Sequence, residues 1–211
     1  LTIGKKQIKK RLHVVNPELL QKFYDQKRSV IMYTAHFGTW EWLGFLPLTI
    51  SHQLTSFYQP LSNTYLDGFM KFVRSRHGAI CVESKKGYRA VIQFARENIS
   101  TLNLIIGDQS PTPNSAMHWT RFLNQDTAFL LGAEAIAVKS NQVVIFPLVK
   151  ELKRGYYEVE FILIEEFPTK INGHEIIDKY ASLLEDSIKQ APELWLWSHK
   201  RWKLKKTDAK P

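Results

Sequence analysis

Short apolar runs alternate with amphipathic stretches along most of the chain. The apolar runs are rich in β-branched and aromatic residues, which is typical of buried strands. They predict strands at residues 29–34, 55–58, 79–82, 101–106, 143–149 and 156–164.

The stretches between these runs predict helices. The segment 66–76 has one apolar face at spacings of three and four, formed by Leu66, Phe69, Met70 and Val73. Asn16 as a cap, followed by proline, predicts a helix ending near residue 26, and Asp126 is a suitable cap for a helix reaching residue 139. Further helices are predicted at residues 39–48, 88–97 and 176–190.

This alternation predicts a single α/β domain over residues 1–211, with a mostly parallel or mixed central sheet flanked by helices. A length of 211 residues suits one domain. In sheets of this kind the active site lies beyond the carboxyl ends of the strands. We therefore expect catalytic residues directly after the predicted strands 29–34 and 101–106.

The formal net charge of +9 comes from the two ends of the chain. Two clusters hold 10 of the 29 basic residues and no acidic ones: Lys5, Lys6, Lys9, Lys10 and Arg11, and Lys200, Arg201, Lys203, Lys205 and Lys206. The remainder carries 19 basic and 20 acidic residues. Residues 199–211 thus read as a basic tail. Such ends suit lipid headgroups, an acidic protein or nucleic acid, and the simpler alternative is a solvated tail.

Several classes of protein are not supported by the sequence. The only cysteine, Cys81, lies in an apolar stretch, so an internal disulfide framework is excluded. The chain contains no hydrolase nucleophile elbow, phosphate-binding loop, dinucleotide-binding loop or zinc motif, and we expect no metal site. It also contains no apolar run of about 18 residues, the length that spans a bilayer.

The strongest candidate chemistry follows the first predicted strand. His36 leaves that strand, Gly38 permits a tight turn, and Glu41 falls in the first turn of the next helix. We predict that Glu41 bonds one nitrogen of His36, which would leave the other as a general base. The alternative is a histidine at a helix start beside an acid that complements the helix dipole.

Two further segments are weaker candidates for binding substrate. Asp108 and Gln109 follow the strand 101–106, although acids and prolines also favour ordinary turns. Arg74 and Arg76 end a predicted helix, where arginines are common, and a guanidinium there also suits an anionic group on a substrate.

The C-terminal segment mixes tryptophan with lysine and arginine, a composition typical of membrane interfaces. Its candidate contacts with a membrane or carrier protein are Trp197, Lys200, Arg201, Trp202 and Lys203. The alternative is a strand packed on the sheet, followed by a solvated tail.

Together these segments resemble the bacterial lipid A late acyltransferases, the lauroyl and myristoyl transferase family, within the wider group of glycerolphosphate and lysophospholipid acyltransferases. The matching stretches are 35–41, 74–78, 107–109, 129–135 and 192–203, which occur in the family's order and cover nearly the whole chain. The first is similar to the family's motif of a histidine followed five positions later by an acid. The family motif often carries asparagine where this chain has Thr39.

The resemblance implies an O-acyltransferase that uses an acyl carrier protein or coenzyme A thioester as co-substrate, without a bound cofactor. His36 would be the base and Glu41 its partner, in a direct transfer without an acyl-enzyme. The substrate would lie against Gly38, Thr39, Arg74, Arg76, Asp108 and Gln109.

The resemblance also implies a location and partners. The acceptor would be a lipid A precursor or a related lipid at the cytoplasmic face of the bacterial inner membrane. Family members usually carry an N-terminal membrane helix, and a chain that opens with Leu1 is expected to lack it. The alternatives are a lysophospholipid or aminolipid acyltransferase, a lipid-binding relative without activity, and a basic nucleic-acid-binding module. We expect no nucleic acid partner, because the excess of basic residues lies at the two ends of the chain and not in its central part.

Overall fold

The structure is a computed structural model and describes residues 3–206. Its helices are α1 (Lys5–Arg11), α2 (Pro17–Asp25), α3 (Thr64–Ser75), α4 (Gly87–Arg96), α5 (Gly132–Ser140) and α6 (Glu175–Gln190). Its strands are β1 (Leu12–Val14), β2 (Val30–Thr34), β3 (Gln53–Tyr58), β4 (Ile80–Glu83), β5 (Thr101–Ile106), β6 (Met117–Phe122), β7 (Gln125–Leu130), β8 (Val143–Lys153) and β9 (Tyr156–Glu165).

Seven of the strands form one sheet in the order β1-β9-β8-β2-β5-β3-β4. Five of the six pairings within it are parallel, and only β8 and β9 pair antiparallel. The predicted α/β domain with a mostly parallel sheet is therefore confirmed, and each of the six predicted strands has a counterpart in the sheet.

The central strand β2 is buried on both faces, which is why its five residues are almost all apolar. On one face Tyr33 and Ile31 pack with α5 and α6. On the other face Met32 joins a cluster that includes residues of α2 and of a 3₁₀ helix, Trp40–Leu48. The sheet thus separates two apolar cores, and burial of both fixes the position of β2 at its centre.

The prediction of a helix from Asp126 to residue 139 is wrong over its first half. Residues 125–130 form β7, which pairs antiparallel with β6, and α5 begins only at Gly132. A two-residue turn, Leu123 and Asn124, joins these strands with positive φ angles of 50° and 61°. That backbone matches the twist of a hairpin, so Asp126 pairs with the opposite strand instead of capping a helix.

One other predicted helix differs in type, and the structure decides between the alternatives for the N-terminal cluster. The helix expected at 39–48 is a 3₁₀ helix, Trp40–Leu48, with Pro47 inside it, and proline cannot donate an α-helical hydrogen bond. The basic N-terminal cluster is not a tail but forms α1, which is anchored by the buried Ile8 and leads into the edge strand β1.

Candidate active site

The candidate site lies where the loops after β2 and β5 meet. These strands are parallel neighbours, with Thr34 opposite Ile106 at their carboxyl ends. After β2 the backbone reaches Gly38, whose φ of +56° suits glycine, and turns into the 3₁₀ helix. After β5 it passes Gly107, where a Cβ atom would lie 2.1 Å from the Tyr33 ring. Only glycine therefore lets the following residue approach the end of β2.

This close approach lets the Asp108 carboxylate form two hydrogen bonds with His36. Its Oδ1 lies 2.8 Å from Nδ1 of the imidazole, and its Oδ2 accepts a hydrogen bond of 3.1 Å from the backbone N–H of His36. The Asp108 side chain is 4% exposed and the His36 side chain 17%. Among the described residues Nε2 of His36 has no hydrogen-bond partner, so this nitrogen is free to accept a proton.

A third hydrogen bond reaches Asp108 from the C-terminal end of the chain. The indole N–H of the buried Trp195 donates to Oδ2 over 2.9 Å. Burial alone would raise the pKa of Asp108, but the hydrogen bonds from the His36 imidazole, from Trp195 and from the His36 backbone outweigh it and lower this pKa below its ordinary value. Asp108 is thus held as a carboxylate against the imidazole.

Residues 192–199, here called the C-terminal strap, bind both loops of the site. The backbone N–H of Gly38 donates to the carbonyl of Leu194 over 2.8 Å, and that of Leu196 donates to the carbonyl of His36 over 3.1 Å. Farther along, Nε2 of His199 accepts a bond of 2.9 Å from the N–H of Ser110, two residues after Asp108. The strap therefore fixes the position of the histidine loop relative to the aspartate loop.

Glu41 is not the carboxylate that contacts His36. It lies in the first turn of the 3₁₀ helix and accepts two hydrogen bonds from Arg74 of α3, at 2.6 and 3.2 Å. Its side chain is 44% exposed. The predicted bond between Glu41 and His36 is therefore wrong. The 3₁₀ helix directs Glu41 toward α3, and the pairing of β2 with β5 places Asp108 beside His36 instead.

The other predicted substrate-binding residues lie at different distances from the pair of His36 and Asp108, and some have structural contacts of their own. Gln109 is exposed beside Asp108. The guanidinium of Arg76 donates to the backbone carbonyl of Ile3 over 2.8 Å, which ties the C-terminal end of α3 to the segment before α1. Gly38 and Thr39 line a small cavity of about 170 Å³ beside the histidine loop.

That cavity adjoins a larger groove of about 550 Å³, and the two share Val149, Glu151 and Leu194. The groove runs between the end of β8, the C-terminal end of α6 and the strap, and its apolar lining includes Phe37 and Leu148. Sequence reasoning had not located this groove. Its walls come from three distant segments, so no local pattern marks it.

The C-terminal contact residues divide into two groups. Trp197, Lys200 and Lys203 are exposed. Trp202 is half-buried and donates from its indole to Thr127 over 2.8 Å. Arg201 is buried, stacks on the ring of Phe129, and donates to the carbonyl of Ala128.

The predicted membrane contact of Arg201 is therefore wrong. Its guanidinium fills the interior beneath the strap, where burial lowers its pKa to about 10. Arg201 and Trp202 are accordingly packed against the fold, whereas Lys203, Lys205 and Lys206 are exposed. The rest of the predicted basic tail, residues 207–211, lies outside the described residues.

Within residues 3–206 no three histidine, cysteine, aspartate or glutamate side chains are arranged to hold a metal ion. In the same range no helix has the length and apolar character required to cross a bilayer.

Comparison with protein-family models identifies a family for this chain. Residues 1–204 fit the family model described as bacterial lipid A biosynthesis acyltransferase, which covers nearly the whole chain. No curated protein matches the chain significantly.

Proposed function

Since this chain belongs to the bacterial lipid A biosynthesis acyltransferases, we propose that it transfers a fatty acyl group from a thioester to a hydroxyl of a lipid A precursor, with His36 as the general base. The family match supports an acyltransferase that acts on lipid A-like substrates. The observation that carries the choice of base is the bond from His36 Nδ1 to the buried Asp108. The residue after His36 in the chain, Phe37, lines the larger groove.

In the proposed reaction the acceptor hydroxyl gives its proton to Nε2 of His36 while its oxygen attacks the thioester carbonyl. The new C–O bond forms, the C–S bond breaks, and the imidazolium returns the proton to the departing thiolate. Asp108 accepts the Nδ1–H bond throughout, and its negative charge stabilises the imidazolium. No covalent intermediate on the protein is required.

Trp195 acts in this scheme as a positioning residue. Its indole N–H occupies Oδ2 of Asp108, which leaves Oδ1 to accept the bond from the imidazole. Because the strap also bonds the backbone of Gly38 and His36, the orientations of acid and base depend on the same segment. We infer that the C-terminal strap preorganises the pair before substrate arrives.

The groove beside Phe37 is proposed as the site of the acyl chain. Its lining combines Phe37, Leu148 and Leu194 with Lys150 and Glu151. An acyl chain gains about 0.8 kcal/mol for each methylene group that it buries. This groove therefore favours a donor with a long acyl chain over a donor with a short acyl chain.

Arg74 is proposed to bind an anionic group of the acceptor or donor. Its Nε and Nη2 donate to Glu41, five residues beyond His36, and this contact orients the guanidinium so that Nη1 can donate to a phosphate oxygen. Glu41 thus supports substrate binding through Arg74, and Gln109 offers an exposed amide on the other loop.

We further propose an acyl carrier protein as the donor and the cytoplasmic face of the inner membrane as the place of reaction. The exposed lysines at positions 200 and 203 would attract an acidic carrier protein.

Acyl transfer from acyl carrier protein and from coenzyme A thioesters to a lipid A precursor, a lysophospholipid and an aminolipid tests the proposal. We expect the lipid A precursor to be the best acceptor. Replacing His36 by Ala should lower turnover by about 10²–10⁴, the usual contribution of a general base. Near-normal turnover of the His36→Ala variant would contradict the assignment, and strong preference for another acceptor would replace the proposed substrate.

A further inference from the structure

The helix α3 exposes an apolar surface to the exterior. None of its residues is buried, although its sequence is as amphipathic as that of a core-packed helix. The exposed fractions of its large apolar side chains are 90% for Tyr65, 50% for Leu66, 46% for Phe69 and 64% for Phe72. These side chains recur at helical spacing, so they form one continuous patch, here called the α3 face.

The charged residues of the same helix form ion pairs away from this patch, with one another or with the 3₁₀ helix. Asp67 and Lys71 form an ion pair of 2.7 Å, and the ammonium group of Lys71 lies over the ring of Tyr58. Arg74 pairs with Glu41 of the 3₁₀ helix. This arrangement is the reverse of a helix on a water-exposed surface, where the apolar stripe faces the core. The α3 face is therefore fitted to an apolar surrounding.

A basic helix adjoins one end of the α3 face. Arg76, at the C-terminal end of α3, donates to the backbone carbonyl of Ile3, immediately before α1. The lysines of α1 are all exposed: Lys5, Lys6, Lys9 and Lys10. Lysines next to aromatic and aliphatic side chains match the two layers of an anionic membrane surface, its headgroups and its acyl chains.

We propose that the α3 face inserts into the interfacial layer of an anionic membrane, with the lysines of α1 on the lipid phosphates. The choice of a membrane as occupant rests on the proposed lipid acceptor and on the charge of α1, which would repel a second copy of the same surface. Because Arg74 joins α3 to Glu41 near the histidine loop, docking in this way would bring the site to the membrane surface.

The test is sedimentation of the protein with vesicles of equal parts phosphatidylglycerol and phosphatidylethanolamine, compared with pure phosphatidylcholine. Changing Phe69 and Phe72 together to Ser should weaken binding to the anionic vesicles at least ~10-fold, because two aromatic side chains lose their contact with lipid. The matched control changes Leu130 and Leu163 to Ser, two leucines that are similarly exposed on strands, and should bind as wild type does.

A second variant separates the electrostatic part of binding. Changing all four lysines of α1 to Gln should remove the preference for anionic vesicles and most of the salt dependence. The Phe69→Ser/Phe72→Ser variant should instead keep its salt dependence. Wild-type binding by this variant, or equal losses in it and in the control, would overturn the proposal. A dimer that this variant converts to monomer without loss of vesicle binding would also overturn it and identify the face as a self-interface.

Activity on acceptor dispersed in detergent distinguishes failure of the docking proposal from failure of the proposed function. The Phe69→Ser/Phe72→Ser variant should keep wild-type turnover there, whereas His36→Ala should lose turnover but still bind vesicles. Loss of turnover in detergent by the two-serine variant would show that the α3 face serves the site and not the membrane.

Discussion

Two pairs of oppositely charged or hydrogen-bonded side chains lie at the histidine loop, and they differ in burial and in the number of hydrogen bonds that hold the carboxylate. The pair of His36 and Asp108 lies at the carboxyl edge of two adjacent parallel strands, and its carboxylate is 4% exposed and accepts three hydrogen bonds. The pair of Glu41 and Arg74 lies at the surface, where solvent reaches both side chains. Charge interactions are stronger when water is excluded, and exposed ion pairs contribute little. The first pair is thus suited to chemistry and the second to binding.

The sharpest test of this difference compares Asp108→Asn with Glu41→Gln. The asparagine variant loses the negative charge that stabilises the His36 imidazolium, so we expect turnover to fall by about 10² or more. The glutamine variant should lose no more than about 3-fold, a size typical of an exposed pair. Steady-state acyl transfer by both purified variants measures the contrast. Equal losses would contradict the expected contrast, and a larger loss in Glu41→Gln would show that Glu41, and not Asp108, supports the base.

The role of the strap is tested by Trp195→Phe, which keeps an aromatic ring but removes the donor to Oδ2 of Asp108. A hydrogen bond to a charged group contributes about 1.5–3 kcal/mol, so we expect turnover to fall by roughly tenfold or more. Because that bond favours the carboxylate, its loss should raise the pKa of Asp108 and move the acidic limb of the pH–rate profile to higher pH.

A purely structural role for Trp195 would lower stability without moving that limb. The matched control is Trp197→Phe, in the same segment, whose indole donates to the carbonyl of Pro192 and does not contact the pair.

The binding role of Arg74 is tested by Arg74→Lys, which keeps the charge but removes the planar fork that holds Glu41. We expect the KM for the anionic substrate to rise about 3- to 10-fold with little change in kcat, since the interaction is made before and during the reaction. Lys71→Arg is a suitable control on the same helix, because Lys71 pairs with Asp67 instead. A fall in kcat at constant KM would place Arg74 in the chemical step.

The smallest expected effect is on stability in acid. The pKa of Asp108 is lower in the folded protein than in the unfolded chain, so its carboxylate stabilises the fold above the ordinary pKa of about 4. That contribution should be lost as the pH falls through the lowered pKa. Urea unfolding of wild type and Asp108→Asn between neutral pH and pH about 3 measures the difference, which should shrink on acidification. A constant difference would show that Asp108 titrates normally.

The sequence predicted the edge of the sheet at which His36 and Asp108 lie but not which carboxylate bonds to His36. Both His36 and Asp108 were candidates because each follows a buried strand, and parallel strands end at one edge. Local spacing favoured Glu41 as the partner, five positions from His36. The structure instead pairs residues that are 72 positions apart. Strand order decides this pairing, and strand order depends on which faces are buried together.

The same limit applies to the C-terminal segment and to the β6–β7 hairpin. Tryptophan with arginine suits either a membrane interface or a buried cation–aromatic contact, and composition alone does not separate them. Arg201 is interior because the strap crosses the loops of the site and carries it against Phe129. The hairpin was missed because Leu123 and Asn124 are not a typical turn pair, and Asp126 resembled a helix cap.

By itself the sequence determined the alternation of strands and helices, the parallel sheet and the edge at which chemistry is found, because these follow from local periodicity and the burial of apolar runs. The tertiary structure alone decided which carboxylate contacts His36, that the C-terminal strap holds this pair, and that α3 turns its apolar face outward. The physical reason is that each of these contacts joins segments distant in the chain, and its geometry is set by the packing of the whole sheet and its helices.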